Sequence, residues 1–300
     1  MRKELSLSQQ FAITGLDGLD SRHMTMAKSA VLRGIQAAKV MEELVLAKEH
    51  PDLEALEGEL ILQMDICKKM KKKEMVQLEQ EMVLSLKEED LLEEIPDILG
   101  CDMDYQTAGV SMWAYRSDEQ EYNRVIEWVR AEVLEEGPLT LEALCMLWLL
   151  RECGVIHDVF SVREQEEIQR KLSMLSSQDD LARILLDNSL KNVLENVCLK
   201  YLKGKSNLFK NPFLEGVNIV YPFLDRRKAI FIDYVILGTT VENRRLAALS
   251  YLCEHGHYVQ EIKRGEETLL KVDNTYYRIF PYTKMCKFPI QGLTLVPVYQ

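Results

Sequence analysis

The densest group of metal-capable side chains in this chain is Cys253, His255 and His257, in the run YLCEHGHYV. A thiolate and two imidazoles suit a zinc-like ion, but a closed structural site takes four ligands, usually delivered as two pairs. No second pair stands at such spacing elsewhere, so no metal is expected. Cys153 and His157 could form a thiol–imidazole pair for nucleophilic chemistry. No residue that would orient the imidazole is evident, and Cys153 reads as a buried helical cysteine. The acidic pairs Glu135-Glu136, Glu166-Glu167 and Glu266-Glu267 read as solvated faces. Glycine-rich phosphate loops, HExxH and GxSxG are all missing. The expectation is therefore a protein that is not an enzyme and needs no cofactor.

Arginine carries a sharper signal. Arg33 stands in Leu32-Arg33-Gly34, on a stretch otherwise made of alanine, valine and isoleucine. A guanidinium on an apolar face must find an anion or a set of carbonyls, because burying it unpaired is costly. Two partners satisfy that demand: an internal carboxylate, making a structural salt bridge, or a bound anion such as a phosphate, which suits the planar guanidinium fork.

These residues must be held by a scaffold, and composition says what kind. The 300 residues are 47% apolar and 28% charged, enough for a normal buried core. The net charge of −11 argues against nucleic-acid binding, which needs a basic footprint. Seven scattered cysteines, an odd number, fit reduced thiols of a cytoplasmic protein better than a disulfide framework. The amino terminus has no signal-type apolar core and no apolar run approaches membrane-spanning length, so any membrane contact should be peripheral.

Apolar spacing places helices over Leu5–Leu16, from Thr25 to the His50-Pro51 break, and over Leu181–Leu202. Leu53–Glu94 is charge-dense and reads as one or two exposed helices. Its cluster Lys68, Lys69, Lys71, Lys72 and Lys73 is either a solvated face balanced by Glu74, Glu79 and Glu81 or an anionic contact. Pro96–Ser117 reads as a loop with an exposed Trp113. Asn207–Leu224 reads as a β-hairpin around Asn211-Pro212 and Gly216. Leu269–Val272, Tyr276–Phe280 and Leu293–Val298, with Asp273-Asn274 as turn residues, predict a small C-terminal sheet.

Arg124–Gly154 and Arg226–Gly256 align without a gap at an offset of 102 residues, sharing Leu144/Leu246, Leu147/Leu249, Leu150/Leu252 and Gly154/Gly256. Self-similarity at a fixed offset is a fold-level signal. Each copy reads as helix, break, helix. The fold class is therefore mainly α, a compact helical domain with a helix-turn-helix pseudo-repeat, an exposed β-hairpin and a small C-terminal β element. It is read as a single domain over 1–300, with 53–117 as a candidate helical insertion.

Several blocks resemble one family. Leu5–Asp17 (LSLSQQFAITGLD) is similar to the opening of the Golgi phosphoprotein 3 (GPP34) family, and Leu32-Arg33-Gly34 follows at the right distance, like that family's S-x-x-L-R-G helix. Asn243–Leu252 (NRRLAALSYL) resembles its late D-[KR]-R-L-L-A-L-x-Y-L helix, and Asn192–Glu195 with Lys203-Gly204-Lys205 its N-V-R-E-R-L…E-K-G segment. The resemblance implies a compact, mostly helical fold with a hydrophobic hairpin. It also implies a peripheral, phosphoinositide-type lipid-binding function through a tryptophan and three arginines. Carried over, Arg33 matches the arginine of the L-R-G helix, and the tryptophan falls at His23 or Met24. The other two arginines fall on Lys191 and Leu194, or in a rival alignment on Arg163 and Arg170. An anionic headgroup would then meet Arg33 and Lys191, aided by His23 and Arg22, while Phe213 and Leu214 at the hairpin tip enter the membrane interface. The alternative is a soluble helical scaffold that binds a protein partner or forms a homo-oligomer.

Overall fold

The computed structural model describes residues 4–47, 52–109, 111–191, 227–265, 268–285 and 287–298. Asn207–Leu224, with Phe213 and Leu214, lies outside the described residues, as do Asn192–Lys205 and the Glu266-Glu267 pair.

The protein is mainly helical. Helices α1 (Leu7–Leu16), α2 (Met26–Met41, continued by one π turn over Glu42–Leu46), α3 (Leu53–Lys68) and α4 (Lys72–Glu88) lead into a two-stranded ribbon. Its strands are β1 (Leu92–Pro96) and β2 (Trp113–Ser117), with a 3-10 turn (Ile98–Cys101) and α5 (Met103–Thr107) between them. Next come α6 (Glu119–Leu134), α7 (Leu141–Glu152), α8 (Ile156–Val159), α9 (Val162–Gln178) and α10 (Asp180–Asp187). The chain ends in β3 (Ile230–Asp233), α11 (Val241–Glu254), β4 (Val259–Lys263), β5 (Leu269–Val272), β6 (Thr275–Met285) and β7 (Pro289–Val298). These last strands form an antiparallel sheet in the order β3-β7-β6-β5-β4.

Helix starts follow local chemistry. Ser6 and Gln9 close a capping box on α1, Ser161 and Glu164 close one on α9, and Thr25, Thr140 and Thr240 cap α2, α7 and α11 through their hydroxyls. The backbones of α1 and α2 cross closely. A Cβ added at Gly34 would lie 2.5 Å from both Phe11 and the Cys153 sulfur, and one at Gly15 would lie 2.8 Å from Val31. The glycine after Arg33 is thus required by packing.

The core divides in two. One apolar cluster joins α1, α2, α3, α4, α6, α7, α8, α9 and α10 around Phe11, Ile35, Met41, Trp148 and Phe160. The other lies between the large sheet, α11 and the 3-10 turn, around Ile230, Leu252, Leu270, Tyr277 and Leu295.

Several expectations need correction. The second repeat copy does not begin with a helix: Ile230, Phe231 and Ile232 form β3, all three buried against β7. Consecutive β-branched and aromatic side chains suit a strand covered on both faces. The Leu53–Glu94 helices are not merely exposed, because Leu56, Leu60 and Met64 of α3 and Met75, Leu78, Met82 and Leu86 of α4 enter the helical core. Pro96–Ser117 is structured, and Trp113 lies half-buried in β2. The helix expected over Leu181–Leu202 ends at Asp187, where Asn188 turns its amide onto the Ile184 carbonyl at 2.8 Å. The C-terminal sheet is larger than its sequence signal, with β6 running through Pro281. Beyond Ile279, β6 pairs with β7 alone, and a proline is tolerated where one side of a strand carries no partner.

Candidate functional site

The two cores meet along a polar seam. Arg116 of β2 bridges to Asp273 at 2.9 Å, Lys271 of β5 to Glu119 at 2.7 Å, and Arg227 to Asp158 at 2.8 Å. Lys228 pairs with the fully buried Asp97, whose other carboxylate oxygen accepts from the Leu99 N–H at 2.9 Å. Asn274 reaches across the seam and donates to Asp17 and to the Ser117 carbonyl. Apart from the Lys228–Asp97 pair, which anchors the 3-10 turn beside the sheet, each link ties the sheet side to the helical side through geometry-dependent polar contacts.

Inside this seam lies a cavity of about 50 Å³, bordered by the end of α1, the β1–β2 ribbon and the β5–β6 turn. His257, which follows α11, lines it with a side chain 1% exposed, and its Nδ1 sits 2.8 Å from Asp273 Oδ2. The turn that presents Asp273 is tight enough to put that residue at φ +52, in the left-handed region. Asp273 also accepts from the Tyr258 N–H at 3.1 Å. Burial pushes its carboxyl up, but the hydrogen bonds from His257, Arg116 and Tyr258 outweigh it and hold the group below the ordinary carboxylate value. Tyr277 of β6 faces the same cavity, and burial drives its phenol well above the usual range. The arrangement offers an imidazole backed by a carboxylate beside a phenol, in a wall that mixes ion pairs with apolar residues such as Ile95, Ala114 and Val272.

A second, open cleft of about 840 Å³ carries Glu4, Glu89, Asp90, Asp118 and Glu142, with Arg124 bound to Glu121 at 2.7 Å. Its sign is wrong for an anionic ligand.

The residues expected to meet a headgroup are distributed differently. Arg22 and His23 sit together on the exposed loop after α1, where the Arg22 guanidinium lies 4.7 Å over the Trp113 ring. Asp20 organises that loop, accepting from the Arg22 and His23 N–H groups at 2.7 Å and meeting the His23 ring at 3.0 Å. Burial pushes the Asp20 carboxyl up, and these bonds bring it below its ordinary value. Arg33 is buried in α2 at 4% exposure, and Lys191 faces Glu152 at 3.8 Å. None of the four lines either cavity. Arg163 and Arg170 are exposed on α9.

The other candidates also separate. Cys253 is exposed, His255 binds the Tyr251 carbonyl and Gln106, and His257 turns inward to Asp273, so the trio does not converge. Among the described residues no cluster of three metal-capable side chains forms. Cys153 is buried beside Gly34, whereas His157 is exposed on α8.

Sequence reasoning missed two features. Lys28 and Glu79 form a buried ion pair between α2 and α4, with the Tyr115 hydroxyl donating to Glu79 at 2.7 Å. In sequence, Glu79 reads as part of a solvated face. The seam cavity was missed because its residues come from eight separate stretches. Its traces in sequence are His257, a metal-capable side chain, and the Asp273-Asn274 turn, which nothing local brings together.

Among the described residues no helix is long and apolar enough to cross a membrane. Compared with family models, with curated proteins and with solved structures, the chain matches none of them.

Proposed function

We propose that this chain is a non-enzymatic scaffold protein that self-associates through one end of its five-stranded sheet. The observation that carries this reading is an apolar tip built from two adjoining loops. Val235, Leu237, Met285 and Phe288 are 69%, 80%, 77% and 71% exposed. The loops adjoin because the Tyr234 N–H donates to the Gln291 carbonyl at 3.2 Å, and the Gln291 side chain accepts from Leu237 at 3.1 Å, just past the β6–β7 turn. Single exposed apolar residues are ordinary, but several gathered on one rim mark an interaction surface. Light scattering at rising concentration tests it: the wild type forms dimers, and Leu237→Asp or Phe288→Asp leaves monomers. A wild type that stays monomeric at high concentration refutes the reading.

A second reading has its own support. Arg22 stacked on Trp113, with His23 alongside, is an exposed cation-and-indole arrangement suited to an anionic lipid headgroup. It agrees with the resemblance to the Golgi phosphoprotein 3 family and makes the chain a peripheral, cytoplasmic membrane-binding protein. Each basic residue near an anionic surface contributes about 1 kcal/mol, so attachment would be weak and salt-sensitive against a net charge of −11. Liposome sedimentation with phosphoinositide-containing and neutral vesicles decides it. Selective binding lost in Arg22→Ala supports this reading, and equal behaviour of both proteins on both vesicles ends it.

A further inference from the structure

We propose that the seam cavity is a binding site for a small, uncharged polar molecule held between His257 Nε2 and the Tyr277 hydroxyl. The first reason is an unmet hydrogen-bonding demand. His257 Nε2 is fully buried and has no partner among the described residues, although Nδ1 of the same ring is engaged by Asp273. Tyr277, a residue 3% exposed, lines the same cavity and brings a phenol hydroxyl to it. A buried polar group left unpaired costs about 1–3 kcal/mol, so an orphaned imidazole nitrogen on a cavity wall marks a place where a complementary group would be received.

The second reason is size. On this measure a water needs about 10–15 Å³, so 50 Å³ accepts a molecule of roughly three to five non-hydrogen atoms. The third is charge. Lys228 is matched by Asp97, Arg227 by Asp158 and Arg116 by Asp273, so the ionic groups of the wall are satisfied by one another. Asp17 is met by two neutral donors, the Ser117 N–H and the Asn274 amide, and its carboxylate repels an anion. The groups this leaves for a guest include the His257 imidazole nitrogen and the Tyr277 phenol, both of which recognise by hydrogen bonding. A primary amide fits that chemistry, donating to Nε2 and accepting from the phenol O–H. The guest would lie in the seam between the two cores, so occupancy would also tighten their junction.

The test uses three probes of matched size, acetamide, acetate and ethylammonium, added to the full chain with its imidazole nitrogens labelled for NMR. Acetamide should shift the His257 resonances saturably while leaving the exposed His23 and His157 unmoved. Tyr277→Phe, which removes one oxygen and keeps the ring, should weaken acetamide binding about tenfold at unchanged melting temperature. The proposal is overturned if acetamide moves none of the five histidines or moves them all alike, or if acetate or ethylammonium binds in its place. Failure here leaves the apolar-tip reading untouched, because that reading is measured by mass in solution.

Discussion

Helices α7 and α11 carry leucines at the same three positions and end at corresponding glycines, Gly154 at φ +74 and Gly256 at φ +90, yet their surroundings differ. In α7, Leu144, Leu147 and Leu150 are all buried, because α1, α2, α6, α8 and α10 surround it. In α11 only Ala248 and Leu252 are fully buried, Leu249 is half-covered and Leu246 is 50% exposed. A helix lying on one face of a sheet buries a single stripe, whereas a helix inside a bundle buries its whole circumference. Similar local pattern therefore produces a central pillar in one half and a surface cover in the other.

The sharpest way to break this comparison is to remove bulk from the pillar. Trp148→Ala should destabilise by about 3–5 kcal/mol, since the indole is fully buried and also donates to the Asn188 carbonyl at 3.1 Å. Leu144→Ala should cost about 3 kcal/mol, while its aligned partner Leu246→Ala stays within about 0.5 kcal/mol. Denaturant midpoints that fall equally for the two leucines would mean that α11 is covered in solution by something on its outer face.

Overpacking sharpens the contrast between the two cores. Gly34→Ala would press on Phe11 and Cys153 in the helical core, and Gly292→Ala on the Ile232 carbonyl at 2.3 Å in the sheet. Each should cost about 1–3 kcal/mol, with the sheet variant worse because the obstacle is backbone rather than a movable ring. Thermal melts of the two variants should rank that way. At the helix ends, Gly154→Ala and Gly256→Ala should both cost about 1 kcal/mol, because both glycines adopt left-handed backbone. Here the two regions should respond alike.

The seam responds to acid. The native Asp273 carboxyl binds a proton less readily than the ordinary value of 3.8 implies, so its contribution is complete above that value. It is lost as the pH falls through the lower native value. Asp273→Asn should thus be less stable at neutral pH and show a shallower loss of stability below about pH 4. An unchanged acid limb would remove Asp273 from the linkage between the two bodies.

Much of the secondary structure was legible in sequence. The α1 and α2 spacing, the β-rich runs after Leu269 and the Asp273-Asn274 turn all emerge from local periodicity and turn chemistry. The repeat was legible only in its second arm. Arg124–Leu134 and Ile230–Asp233 keep matching apolar positions, but one surface joins a bundle and the other joins β7. Short apolar runs do not distinguish those outcomes, since the partner decides. The headgroup residues were readable as cations but not as a group, because Arg33 is drawn inside while Arg22 stacks outward on Trp113.

Composition, capping and apolar spacing determined a mainly helical chain with a small closing sheet, because those signals act over a turn or a strand. Only the tertiary structure decided that Lys28 meets Glu79, that α7 is enclosed while α11 is not, and that His257 and Tyr277 share one cavity. Each of those depends on bringing together side chains distant in sequence, where pairing is governed by packing and desolvation of the whole fold rather than by neighbouring residues.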